Sequence, residues 1–132
     1  MPRKRHLARI AVMQVLFERE TRAVDPTAAL QRDAGELGDI DQAFAETLLH
    51  GVLEHEQDLK QVIQLHAPGW SLERMDPIAR CMLLVGAYEL LYGDDAPPAV
   101  VMNEAIEIAK EYGTSESGKF VNGVLNAIAH KK

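Results

Sequence analysis

Between Ile10 and Phe17 only Gln14 interrupts a run of apolar residues. A helix laid over residues 3–20 is therefore apolar nearly all round, which predicts burial on several sides. It begins as a charged arm and becomes core within two turns. Asp25-Pro26 reads as a helix start, a carboxylate to cap free N–H groups followed by a proline at the first helical position. It opens a short helix to about residue 34, before a loop containing Gly35 and Gly38. Phe44, Leu48, Leu49, Val52, Leu59, Val62 and Ile63 then recur by threes, fours and sevens, which predicts one long helix over 41–66, ended by Pro68-Gly69. Ser71 is placed to cap a short turn holding Leu72 and Met75.

Asp76-Pro77 repeats the start signal and opens a strongly apolar helix to about residue 92. Pro97-Pro98 forces an extended link. Val101, Ala105, Ile108 and Ala109 mark the next helix, to Tyr112, with Gly113 as its terminator. Thr114 or Ser115 caps a last helix striped by Val121, Val124, Leu125 and Ile128. There is no alternating strand pattern, no Asn-Gly hairpin and no repeat. The prediction is all-α: about seven helices, two of them short, in a single domain over 1–132.

An apolar fraction of 47% in 132 residues supports a sizeable core without disulfide staples. Cys81 is the only cysteine and sits in the apolar run of residues 81–85, so it reads as a small core residue, and a reducing cytosol is the expected compartment. No run approaches the ~18–20 apolar residues of a membrane span, and the charged start is not followed by a signal-peptide core. The expectation is a cytoplasmic protein with no membrane contact.

Charge changes the picture more. The formal net charge of −6 hides an asymmetry: Arg3, Lys4, Arg5 and Arg9 stand in the first nine residues without an acid. The remaining 123 residues hold 10 basic and 20 acidic side chains. An acidic body repels phosphate, so any nucleic-acid contact must concentrate at this head and wherever it folds against the body. Positive charge at a helix N-terminus also opposes the helix dipole. Either the head is a frayed, solvated arm, or it is a phosphate-binding one.

Catalytic constellations are missing: there is no glycine-rich phosphate loop, no Gly-x-Ser-x-Gly elbow and no Cys-x-x-Cys pair. The chain reads as a non-enzyme with no cofactor. His50 and Glu54 are spaced i,i+4 but lack further ligands, so a solvated helix face outweighs a metal site. Glu104, Glu107 and Glu111, with Lys110 among them, read as another outer face. In the last helix Phe120 lies about 90° off the centre of the apolar stripe. There it is a shoulder residue between Lys119 and Asn122, and that trio suits base stacking with edge hydrogen bonding, or simply the edge of a core. Gly118 and Gly123 reduce the bulk of this helix.

These segments resemble the bacterial transcription antitermination factor NusB family. VMNEAIEIAK at 101–110, Tyr112-Gly113 and SGKFVNGVL at 117–125 carry its most recognisable signature. The start agrees as well, with Arg3-Lys4-Arg5, Ala8-Arg9, Ala11-Val12 and Leu16-Phe17, as does the middle with Arg80 and Ala87-Tyr88-Glu89-Leu90. The likeness spans essentially the whole chain. It implies two three-helix bundles packed across each other. It also implies binding of the single-stranded boxA element of ribosomal RNA leader transcripts, together with the small-subunit ribosomal protein that acts as NusE, inside an RNA polymerase antitermination complex. The implied RNA-binding residues are Arg3, Lys4, Arg5, Arg9, Phe17, Glu116, Lys119, Phe120 and Asn122. The partner face is implied along residues 77–90.

Four positions depart from the family pattern. His6 and Leu7 stand where arginine is frequent, which weakens phosphate contacts. Phe17 replaces a common tyrosine and keeps stacking without the hydroxyl. Glu116 replaces aspartate and lengthens the reach. Two other readings stay open: a helical protein-interaction module, as monomer or homodimer, without specific RNA binding, and an RNA-targeting domain of a methyltransferase. The absence of a glycine-rich cofactor loop and the full C-terminal signature weigh against the latter.

Overall fold

A computed structural model describes residues 2–93 and 95–131, and among these every regular element is helical. α1 is Pro2–Arg19, α2 Pro26–Leu37, α3 Gln42–Glu54, α4 Glu56–Leu65, α5 Pro77–Leu91, α6 Pro98–Tyr112 and α7 Ser115–Lys131, with a 3-10 turn at Leu72–Arg74 before α5. α1, α2 and α3 pack as one three-helix group and α5, α6 and α7 as a second. α1 and α3 lie against α5, and α4 reaches across to α5 and α7. This is the arrangement of two crossed bundles that the resemblance implies.

α1 and α5 form the centre. Ala8, Ile10, Ala11, Val12, Met13, Val15 and Leu16 are all buried, as are residues 81–87 and Leu90 on α5. Removing a leucine or valine of this kind from water contributes about 1.5–3 kcal/mol each. Two glycines set how closely α5 is approached. A Cβ on Gly51 would lie 2.2 Å from the Tyr88 ring, and one on Gly86 would lie 2.7 Å from Leu125.

The Asp-Pro starts act as their chemistry requires. Asp25 accepts the Ala28 N–H and Asp76 accepts the Ala79 N–H, each supplying an acceptor for an orphan donor of the first turn. Thr114 is the cap of α7, in a reciprocal arrangement. Its hydroxyl accepts from the Ser117 N–H, while the Ser117 hydroxyl accepts from the Thr114 N–H.

Three boundaries differ from the sequence expectation. α2 continues through Gly35 and ends at Gly38, where φ is +106°. A Cβ on Gly35 would meet nothing within 4 Å, and Leu37 packs against the core, extending the helix. The single helix expected over 41–66 is divided at His55. Its segments have different neighbours, since α3 packs on α1, α2 and α5, and α4 on α5 and α7. The His55 ring stacks on Tyr92 with centroids 4.0 Å apart. Ser71 makes no side-chain cap; Gln64 and Arg80, described below, hold that turn instead.

Among the described residues no helix is long and apolar enough to cross a membrane, and no group of three or more metal-ligating side chains is gathered. His50 and Glu54 are exposed, as expected of a solvated face. Glu104 departs from that expectation, because it turns inward to His6 and Arg9.

Candidate nucleic-acid interface

The basic head is helical from its start and is tied down. The Asp41 N–H donates to the Lys4 carbonyl, fixing the first turn of α1 to the loop before α3. The described part of the arm is thus a docked helix turn, with no frayed segment seen among the described residues. Acids from other elements answer its charges. Lys4 pairs with Asp39 at 3.4 Å, and Arg5 with Asp41 at 3.5 Å and Asp95 at 3.7 Å. Exposed pairs of this kind hold about 0.2–1 kcal/mol each and yield readily to a competing phosphate. Arg3 is exposed. Burial, and then Glu111, push the Tyr112 phenol up, and the charge of Arg3 works against that rise.

Arg9 is different in kind. Its side chain is 4% exposed; Nε donates to Glu89 at 2.7 Å, Nη2 to Glu89 at 2.9 Å and Nη1 to Glu104 at 3.0 Å. Burial works against its charge, but the hydrogen bonds and charges of Glu89 and then Glu104 outweigh that and hold the guanidinium more firmly protonated. His6 Nδ1 lies 3.0 Å from Glu104, while the guanidinium carbons of Arg5 and Arg9 lie 4.5 and 5.0 Å from the Phe44 ring centre. Arg9 therefore sits beneath the head, not on it. No periodicity could distinguish it from its neighbours at 3–5.

The C-terminal set lies on α7. Glu116 and Lys119 are exposed and 3.5 Å apart, and Asn122 is exposed. Phe120 is half-buried, as its shoulder position predicts. At 100° per residue Asn122 stands about 160° round the helix from Phe120. The two cannot grip one base, so the pairing of aromatic and amide suggested by adjacency is not what the helix presents.

What stands beside Phe120 is Trp70, which sequence reasoning passed over. The rings meet edge to face with centroids 5.7 Å apart, and Trp70 is 50% exposed. It lies in a loop next to Pro68-Gly69, outside every helical stripe, and an exposed aromatic beside a turn was the available signal. Phe17, at the far end of α1, is 40% exposed. It lies about 21 Å along the helix axis from Arg3. Among the described residues no aromatic pairing joins Phe17 to Phe120. The structure thus sets Lys4 and Arg5 beside Asp39, Asp41 and Asp95, and Phe120 beside Trp70 with Glu116 and Lys119 on the same helix.

Residues 5–130 match the family model described as the NusB family. The transcription antitermination protein NusB of Bacillus licheniformis is 41% identical over 125 residues, covering 95% of each chain. That of Bacillus subtilis is 40% identical, covering 95% of this chain and 94% of its own. Among solved structures, NusB of T. maritima superposes with a TM-score of 0.84 at 37% identity, covering 96% of this chain and 90% of that one. A crystal structure of the antitermination factors NusB and NusE in complex with dsRNA gives 0.87 at 27% identity, covering 100% of both.

Proposed function

The chain belongs to the NusB family, and on that basis we propose that it is a non-enzymatic antitermination adaptor in the cytoplasm. It binds the boxA element of ribosomal RNA leader transcripts with the ribosomal protein that acts as NusE. The pair then joins RNA polymerase and supports transcription of rRNA operons. One observation carries the reading: the likeness, over the whole of both chains, to a NusB solved with NusE and double-stranded RNA.

The geometry supports it in particulars. Arg3, Lys4 and Arg5 supply phosphate contacts, since each sits at the surface or is held only by weak pairs. Lys119 adds charge beside Phe120, and Phe120 offers a stacking face. Arg9 acts from below by fixing α1 against α5 and α6 through Glu89 and Glu104. Asn122 serves a neighbouring nucleotide on the Lys119 side, Glu116 borders the stacking face, and Phe17 meets RNA or the protein partner at the far end of α1. Single-stranded RNA is the expected form, because unpaired bases can be stacked and read at their edges.

The test is binding of labelled boxA RNA with and without the ribosomal partner, against a scrambled RNA. The expected result is preference for boxA, strengthened by the partner. Equal binding of the scrambled RNA in both conditions removes the boxA reading.

A further inference from the structure

Trp70 and Phe120 are two walls of a recess of about 490 Å³, completed by Met75, Asp76, Ala79 and Ser117, with Thr114 and Glu116 at its edge. That size is within the range of small-ligand sites. The recess is built, not incidental. Gln64 clamps the loop that carries Trp70: its amide nitrogen donates to the Ala67 and Trp70 carbonyls, and its amide oxygen accepts the Leu72 N–H. Arg80 holds the following turn through the Leu72 and Met75 carbonyls, at 2.7 and 3.0 Å. On the opposite side the Ser117 hydroxyl donates to Asp76, locking the start of α7 to the start of α5. The two aromatic walls, which meet edge to face, are therefore each set by a separate polar network, and the recess opens beside them.

Its chemistry selects an occupant. An aromatic wall suits a flat π-system. Asp76 and Glu116 bring two carboxylates, and no cation is among the lining residues, so a phosphate is repelled. A base with an exocyclic amino group is favoured, because carboxylates accept from such groups. Uracil presents a single N3–H flanked by two carbonyls that a carboxylate repels, and is disfavoured.

We propose that this recess takes one unpaired amino-bearing nucleobase, stacked against the aromatic corner that Trp70 and Phe120 form, making Trp70 a specificity-determining residue of the interface. The proposal rests on the RNA-binding reading above and deepens it. Lys119, outside the recess and next to Phe120, then faces the backbone of the same nucleotide.

Trp70 is the only tryptophan of the chain, so its emission reports on this recess alone. Single-stranded boxA RNA carrying a terminal dye is titrated into the full chain, with dye anisotropy reading binding and tryptophan emission reading the recess. Emission is expected to be quenched in step with binding. An abasic site, or uracil in place of an amino-bearing base, at one particular position should abolish or reduce the quench. Trp70→Leu should weaken binding roughly 5- to 150-fold, the range of a lost base–aromatic stack, and Trp70→Phe should recover most of it. Circular dichroism checks that both variants are folded. RNA that binds with unchanged emission at every position, and equally to Trp70→Leu, overturns the proposal and leaves the family reading intact. RNA that does not bind at all overturns both.

Discussion

Arg9 on α1 and Glu89 on α5, 80 residues apart, are joined by two hydrogen bonds of 2.7 and 2.9 Å inside the core. This is the fork geometry in which a guanidinium and a carboxylate recognise each other most strongly. It makes Arg9 a strut between the two bundles. Glu89→Ala should destabilise the fold by about 3–5 kcal/mol, because it leaves a buried cation short of a partner. Urea unfolding measures this directly. Replacing both residues by apolar ones of similar volume should cost far less, and an equally large loss in that double variant would refute the strut.

On the proposed RNA-binding reading, the acids around the head are a shield that RNA has to displace. Asp39→Asn and Asp95→Asn remove exposed partners of Lys4 and Arg5. Each should tighten RNA binding roughly 1.5- to 5-fold at low salt, the worth of a surface pair. Four cations, Arg3, Lys4, Arg5 and Lys119, predict that log K falls against log[salt] with a slope of about −2 to −3 for single-stranded RNA. A slope near zero would rule out the electrostatic part of the interface.

Acid should reach one tether selectively. Burial alone would raise the Glu56 carboxyl, but hydrogen bonds from Arg19 at 2.6 and 3.1 Å, that residue's charge and the nearby Lys60 outweigh it and hold the group below its ordinary value. A carboxyl lowered in the folded state contributes stability that is complete above the ordinary carboxylate pKa of about 4.3 and is lost as pH falls through the lowered value. Glu56→Gln should therefore reduce stability at neutral pH and flatten its decline in that acid window. Thermal melts between neutral pH and the acid limit compare the two proteins.

Cys81 should be chemically silent. Burial above all, then the charge and hydrogen bonding of Glu20, push its thiol far up, so the nucleophilic thiolate is absent at neutral pH. An aromatic disulfide reagent should label the folded chain only as fast as it unfolds. Labelling at the rate of a free thiol in native buffer would contradict the buried position.

Element types were legible in the sequence because caps and stripes agree. Asp25-Pro26 and Asp76-Pro77 announced α2 and α5, and the Val121, Val124, Leu125 and Ile128 stripe announced α7. The break at His55 was not, since the heptad-like spacing runs unbroken through Leu59 and Ile63 and only the different neighbours of α3 and α4 divide them. The site was legible in its charges and less so in its geometry. Arg3, Lys4, Arg5 and Arg9 look alike in a row, yet the helix turn carries Arg9 inward to Glu89. Trp70 meets Phe120 across 50 positions through a loop, and no local periodicity encodes that meeting. Adjacency in sequence suggested Asn122 as the companion of Phe120, whereas helical rotation separates them.

The central place of α1 bears on how the chain is made. Part of its apolar surface is covered by α2 and α3, which follow it directly, and the rest only by α5, which begins at Pro77, 58 positions after α1 ends. At roughly 5–20 residues per second of synthesis, that remaining face waits about 3–12 s for its cover. The first bundle can gather as it emerges, yet its burial is incomplete until α5 has been made.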